Sequence, residues 1–532
     1  LHGKNTTITT LEQKLERGFP MRKCLLAALL AIMAPCVSAQ SAQSCSALQN
    51  AQLPGINLKI TAAAHHTMRT LPGNTFSPSI ALPAHCHVEG EIDRRTGADG
   101  KSYALRFAIN LPDSWNGRFL FQGGGGLNGN LGEPVGLQAS GGESALDRGF
   151  AVVSTDSGHE GQGFDASFMA DQEAALNFLF LGNMRVTMAA KPLVELYYSK
   201  AINKSYFVGC STGGREGMIM AQRYPSLFDG IVTGAPAIRT GLSNMGLRWY
   251  NVQLNQVLPK DDNGLPVPGG QFSPDEQKLI VSRLLESCDA LDGAEDGLVF
   301  NAAACNFDPA SLACPAGETA NCLSPAKAQA LAKGIAGPVD SRGIQLYSRF
   351  VLDSGNDDTR GLLAGGATPP VGPPVATMLE QDLDAEFTAA TAFDAALGDT
   401  TSTNLSSFVA HGGKQIFYHG VSDAWFSAMD TVGYYENMAA ANGGLETADK
   451  FSRVFLVPGM GHCQGGEQTL DKFDMVSAIV DWVENAQAPA GVLATGNSMP
   501  GVSRPLCPYP QHPHYKGSGD INSAANFECR AQ

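Results

Sequence analysis

The sequence predicts an α/β fold built on a parallel sheet and interrupted by one long insertion. Three observations carry this. Short apolar runs alternate with helix-spaced segments, glycine turns close the runs, and the alternation stops between about residues 238 and 404. Parallel strands must be joined by crossovers and helices usually supply them, so the alternation implies helices on both faces of the sheet. A chain of 532 residues with 43% hydrophobic content can form a large core and more than one folded unit. A net charge of −15, without a Lys/Arg cluster, argues against a nucleic-acid partner.

The chain divides as follows. Met21-Arg22-Lys23 is a short basic region, Leu25 to Met33 is an apolar run too short to span a bilayer, and Val37-Ser38-Ala39 offers small residues for cleavage after Ala39. Residues 21–39 therefore read as a secretory signal peptide and residues 1–20 as an upstream extension. A secreted or periplasmic protein is expected, and no later segment has the length and apolarity of a membrane anchor. Of the twelve cysteines, Cys24 and Cys36 leave with this segment; an even ten remain, which in an oxidising compartment reads as five disulfides.

Strands are predicted at Arg118–Gln122, Phe150–Ser154, Lys204–Gly209, Phe228–Gly234, Lys414–His419 and Arg453–Val457, from β-branched and aromatic runs bounded by turn residues. A helix is predicted from Arg215 to Tyr224, where Pro225 stops it. Residues 40–237 and 405–532 form the two parts of the core. Residues 238–404 form an inserted lid, because long inserts at the carboxyl ends of sheet strands commonly cover active sites.

Gly209-Cys210-Ser211-Thr212-Gly213 fits G-x-S-x-G between a strand and a helix. At such a turn a serine is exposed above the sheet and can act as a nucleophile; otherwise it merely caps the helix. A serine hydroxyl needs a base, and an α/β-hydrolase core orders the partners Ser, acid, His along the chain. Asp423, after the Lys414–His419 strand, and His462, after the Arg453–Val457 strand, occupy the required positions. His411, His419 and Asp430 are rivals less well placed. Oxyanion donors are expected from the Thr212 amide and the glycine loop Gly123–Gly126, with Gly124 and Gly125 as the loop's candidates. That loop lacks a following Gly-Lys-Ser/Thr, so it does not read as a phosphate loop. Cys210 and Cys463 flank the proposed serine and histidine, so a meeting of Ser211 and His462 brings the two cysteines within disulfide range.

These residues resemble the Cys-Ser…Asp…His-Cys arrangement of the tannase and feruloyl esterase family, and Gly209 to Gly217 matches it as Gly-Cys-Ser-Thr-Gly-Gly-Arg-Glu-Gly. The resemblance covers the mature chain and implies an α/β-hydrolase core with a large lid. It also implies the pairs Cys45–Cys86, Cys288–Cys305, Cys314–Cys322 and Cys507–Cys529. In the lid, Cys288 to Leu298 concentrates carboxylates between glycines, which spacing alone leaves open between an acidic turn and a cation loop. The resemblance implies a structural Ca²⁺ held by Asp289, Asp292 and Asp296, with carbonyls of Ala294 and Leu298. His85-Cys86-His87 suggests a metal pair, but with Cys86 in a disulfide the reading is structural.

The implied activity is a serine carboxylic-ester hydrolase acting on small esters of aromatic acids: ferulate, gallate or terephthalate. Phe426 resembles an aromatic clamp for a planar acyl group. Arg360 is the candidate partner for a terephthalate carboxylate, although Phe350-Val-Leu-Asp353 lacks the tryptophan that terephthalate-hydrolysing relatives carry in that region. The alternatives are a mono(2-hydroxyethyl) terephthalate hydrolase specifically, or a non-catalytic, calcium-stabilised binding protein on a hydrolase fold. Nothing in the sequence indicates an oligomeric state.

Overall fold

The computed structural model describes residues 45–73, 79–267, 271–357, 361–364, 368–369, 375–397 and 400–531. The proposed extension and signal peptide, and Arg360, lie outside the described residues.

Nine strands make the main sheet: β1 (Leu58–His66), β2 (His85–Thr96), β3 (Ser102–Pro112), β4 (Arg118–Gln122), β5 (Ala151–Thr155), β6 (Lys204–Cys210), β7 (Gly230–Gly234), β8 (Lys414–Gly420) and β9 (Ser452–Val457). Their order is β1-β2-β3-β5-β4-β6-β7-β8-β9. From β5 to β9 the pairing is parallel, and these six strands are the six predicted from the sequence. The first three strands pair antiparallel and join the parallel set through β3 and β5. The sheet is thus mixed, where the sequence predicts a parallel one.

Among the described residues, eight longer helices accompany the sheet: α1 (Gly182–Tyr198), α2 (Thr212–Arg223), α3 (Thr240–Val257), α4 (Pro274–Cys288), α5 (Pro325–Ala336), α6 (Leu383–Leu397), α7 (Ala428–Ala441) and α8 (Met475–Asn485). Side chains alternate across a strand, and the cores on the two faces follow that alternation. Phe119, Phe121 and Phe207 pack with Val186 and Leu193 of α1, Met218 of α2 and Met438 of α7. Leu120, Tyr206 and Val208 face the other way, against Met475, Ile479 and Trp482 of α8. Between β7 and β8 the chain builds a third core, in which Tyr250 of α3, Leu284 of α4 and Leu331 of α5 meet Tyr347 and Phe350.

Five disulfides staple the described chain: Cys45–Cys86, Cys210–Cys463, Cys288–Cys305, Cys314–Cys322 and Cys507–Cys529. These are the pairs that the resemblance and the site geometry imply. No helix among the described residues is long and apolar enough to cross a membrane.

Candidate active site

Strand β6 ends at Cys210 and α2 begins at Thr212, leaving Ser211 alone to turn the chain. Its φ of 64° and ψ of −123° lie where an L-residue is strained, and such strain persists only where the surroundings enforce it. Close packing of the turn does so. A Cβ on Gly209 would lie 2.5 Å from the Gly213 carbonyl, and one on Gly213 would lie 2.7 Å from that of Gly124. Only glycine fits at both positions, which explains the two glycines of G-x-S-x-G.

Asp423 follows β8 and His462 follows β9, so the sheet carries acid and base to adjacent loops. His462 Nδ1 stands 2.7 Å from Asp423 Oδ2, and His462 Nε2 is buried without a hydrogen-bond partner. Ser211 and His462 line one cavity, and the Cys210–Cys463 bridge joins their immediate neighbours with a Cα separation of 5.9 Å. Burial opposes ionisation of Asp423, but the His462 charge and the hydrogen bonds from His419 and His462 outweigh it and hold the carboxyl well below the usual range. Its Oδ1 accepts the backbone N–H groups of Trp425 (2.8 Å) and Phe426 (3.0 Å).

His419 is a second imidazole on that acid. It is fully buried, with Nε2 3.2 Å from Asp423 Oδ2 and 3.1 Å from the Phe426 carbonyl, and Nδ1 2.8 Å from Thr431 Oγ1. Two acceptors at Nε2 require the hydrogen there, so His419 orients the carboxylate and has no free nitrogen to serve as a base. Asp430 is engaged by Arg239 and by Ser348 Oγ, at 2.9 Å from the latter, away from the imidazole.

The glycine loop divides its roles. The Gly124 N–H donates to Glu216 Oε2 (2.9 Å), so it is committed, and the expectation of Gly124 as an oxyanion donor is corrected. Glu216 Oε1 also accepts from Asn128 Nδ2 (2.7 Å), which braces the loop on α2. The Gly125 N–H has no acceptor among the described residues, and Thr212, first in its helix, has no intrahelical acceptor for its own. Both residues border space next to Ser211: Gly125 lines the cavity of about 940 Å³, and Thr212 a smaller one of about 230 Å³. Glu216 escaped sequence reasoning because its partners lie about ninety positions away.

Ser211 borders both cavities. The smaller is apolar, bounded by Leu127, Phe164, Met169, Leu247, Trp425 and Phe426. The larger extends past Gln122, Asn130, Glu133 and Gln138. Trp425 and Phe426 stand with ring centroids 5.1 and 5.3 Å from the His462 ring. Phe426, expected as an acyl clamp, thus lies beside the base and lines the smaller cavity, where Trp425 and Phe164 join it; Phe164 is a residue the sequence did not single out. The lid also reaches this site: buried Asp353 accepts the Gly459 N–H (2.6 Å) and the Ser422 hydroxyl (3.0 Å) through Oδ2.

The acidic lid loop begins where α4 ends. Ser273 and Glu276 form a capping box at the helix start, and Asp289 follows its last residue, Cys288. A carboxylate at a helix C-terminus meets the unfavourable end of the macrodipole. Burial pushes Asp289 up, and it pushes Asp292 up to about 7, with Asp296 adding to both. Ala294 and Leu298 are buried within the same loop. Buried Arg504 pairs with Asp296, its Nε 3.1 Å from Oδ2. The three carboxylates are not drawn to within 4.8 Å of one another as a group; among the described residues that closeness is found for His85, His87 and Glu133.

Comparison with known proteins follows the same lines. The family model for tannase and feruloyl esterase matches residues 86–395 and 375–530. A mono(2-hydroxyethyl) terephthalate hydrolase from Piscinibacter sakaiensis is 40% identical over 523 residues, covering 85% of this chain and 86% of its own. A probable feruloyl esterase from Arthroderma benhamiae is 29% identical, covering 95% of this chain and 98% of its own. The crystal structure of feruloyl esterase B from Aspergillus oryzae superposes with a TM-score of 0.76 at 25% identity, covering 92% of this chain and 100% of its own. The chain belongs to the tannase and feruloyl esterase family and is a carboxylic ester hydrolase.

Proposed function

We propose that the protein is a secreted serine esterase that cleaves esters of aromatic acids through an acyl-enzyme. The observation that carries the mechanism is the 2.7 Å contact of His462 Nδ1 with Asp423, which leaves a buried, unpartnered Nε2 in the cavity that Ser211 lines. With its hydrogen on Nδ1, His462 offers the Nε2 lone pair to the Ser211 hydroxyl. Ser211 Oγ attacks the ester carbonyl, and the amides of Thr212 and Gly125 receive the oxyanion. His462 then passes the proton to the leaving alcohol. Water, deprotonated by the same nitrogen, attacks the acyl-enzyme and releases the acid. Asp423, held ionised by two histidines, stabilises the imidazolium formed in each half-reaction.

The apolar cavity supports an aromatic acyl group, since Phe164, Trp425 and Phe426 offer ring faces and edges beside Ser211. The more polar cavity then takes the alcohol portion. Comparing kcat/KM on methyl ferulate, methyl gallate and mono(2-hydroxyethyl) terephthalate tests this reading. At least one should exceed the corresponding acetate ester by about tenfold or more, the scale of a filled apolar pocket. Acetate esters hydrolysed as well as all three would refute the aromatic assignment.

A structural Ca²⁺ in the lid loop belongs to the same proposal. The donors Asp289, Asp292 and Asp296, with the carbonyls of Ala294 and Leu298, are the hard oxygens that Ca²⁺ takes. Carboxylates that burial and mutual repulsion push upward need a cation to ionise together. The expected pH dependence has a definite sign. In metal-free protein, folded Asp292 keeps its proton up to about 7, whereas the unfolded chain releases it near 3.8. The folded state thus binds more protons in that window, and stability falls as pH rises through it. Ca²⁺ displaces the proton, so its addition should raise Tm more at pH 8 than at pH 5. Equal shifts at both values, or none, would count against the site.

A further inference from the structure

The antiparallel end of the sheet gathers histidines on one face. Residues opposite one another in antiparallel strands share a face, and so do alternate residues of one strand. His66 of β1 stands opposite His85 of β2, and His87 of β2 stands opposite Asn110 of β3. Cys86, between the two histidines, points the other way into the core, where it meets Cys45. Glu133 reaches the histidine face from the segment after β4, and one ligand atom each from His85, His87 and Glu133 lie within 4.8 Å of one another.

The hydrogen bonds around these groups leave a lone pair unused. His85 is wholly buried, and its Nδ1 lies 2.7 Å from the Pro83 carbonyl, which can only accept; the hydrogen is therefore on Nδ1. Nε2 presents its lone pair, is buried, and has no hydrogen-bond partner. This is the tautomer and outer contact that a metal-ligating histidine commonly shows. His87 faces oxygen on both sides, with Nδ1 2.6 Å from Asn110 Oδ1 and Nε2 3.3 Å from Glu89 Oε1. A neutral imidazole has one N–H, which the shorter contact places on Nδ1, so Nε2 keeps a lone pair beside a carboxylate, and a proton or a metal ion there would relieve that contact. Glu133 Oε1 accepts from Asn110 Nδ2 at 2.9 Å and from Arg69 Nη2 at 2.6 Å. Burial opposes its ionisation, but Asn110, Arg69 and His87 hold the carboxyl below its usual range. Arg69, whose side chain is 35% exposed, is a competing cation on Oε1, so a metal ion must displace it or bind beside it.

We propose that His85, His87 and Glu133 form a second cation site, one for a borderline divalent ion of the Zn²⁺ type. Two imidazoles and a carboxylate, with water completing a tetrahedron, suit Zn²⁺ and differ from the oxygen-only set of the lid loop. Glu133 also lines the larger cavity. Occupancy neutralises a charge at its polar end and alters how alcohol portions of esters are accommodated there.

Isothermal titration of the full chain, saturated with Ca²⁺, with Zn²⁺ at neutral pH tests the proposal. One equivalent should bind to the parent and to His411→Gln, which alters an exposed histidine elsewhere. His85→Gln, His87→Gln and Glu133→Gln should each weaken binding by about tenfold or more. Far-ultraviolet circular dichroism identifies any variant that fails to fold; if buried His85 does not tolerate change, His87→Gln and Glu133→Gln decide the matter. No uptake by the parent, or undiminished uptake by those two variants, would overturn the assignment. So would loss of binding in His411→Gln.

Discussion

Ser211→Ala should lower kcat/KM on any accepted ester by about 10⁴-fold or more while leaving the fold intact, because the nucleophile acts as a unit with its base. Asp423→Asn should cost about as much for a different reason. The carboxylate accepts from His462 Nδ1 at 2.7 Å and so keeps the hydrogen off Nε2. An amide there can present a donor instead, turning the ring to the wrong tautomer and leaving Ser211 without a base. Steady-state kinetics with Tm measured in parallel separates chemistry from unfolding. Alanine also relieves nothing of the backbone strain at a φ of 64°, so Tm should move little. Retained hydrolysis in Ser211→Ala would refute the nucleophile.

Replacing Cys210 and Cys463 together by serine should reduce both stability and turnover. The bridge closes a loop with a sequence separation of 253, the largest of the five. Its removal frees the unfolded chain and should cost about 2–4 kcal/mol in denaturant unfolding. Its catalytic effect is separable. Cys463 itself has a φ of 68°, so strained backbone stands on both sides of the bridge, at Ser211 and at Cys463. Releasing it lets His462 drift, and a displacement of about 1 Å is worth about 10²-fold in rate. Unchanged kcat/KM in the double variant would show that the bridge braces the fold alone.

The parallel half of the sheet was legible in the sequence because its strands are buried on both faces. They read as apolar runs, as Phe-Leu-Phe within β4 and Ala-Val-Val within β5 illustrate. The antiparallel half was not. Strand β2 carries His, Glu, Asp and Arg along its length, and register shifts at Ile60/Ala62 and Ile92/Arg95 break the alternation that would reveal a half-buried strand. The site divides in a similar way. Ser211 lies in a local G-x-S-x-G motif, and Asp423 and His462 follow strand ends in a fixed chain order, so motif and position together singled them out. His419, Glu216 and Asp353 act through partners that tertiary packing supplies, and no local spacing announces them. Gly124 shows the converse, since a glycine in the right loop had its amide claimed by a distant glutamate.

Asp353 has a consequence for how this enzyme admits substrate. One buried carboxylate of the inserted segment accepts from Gly459, on the loop that bears the base, and from Ser422, beside the acid. Swinging the insert outward would strip both donors from that carboxylate and release the two loops on which Asp423 and His462 depend. At Asp353, then, the insert is tied to both catalytic loops, and opening the chain at this point costs two buried hydrogen bonds to a carboxylate. Grafting a relative's insert onto this core to exchange specificity would succeed only if an acceptor at this point came with it.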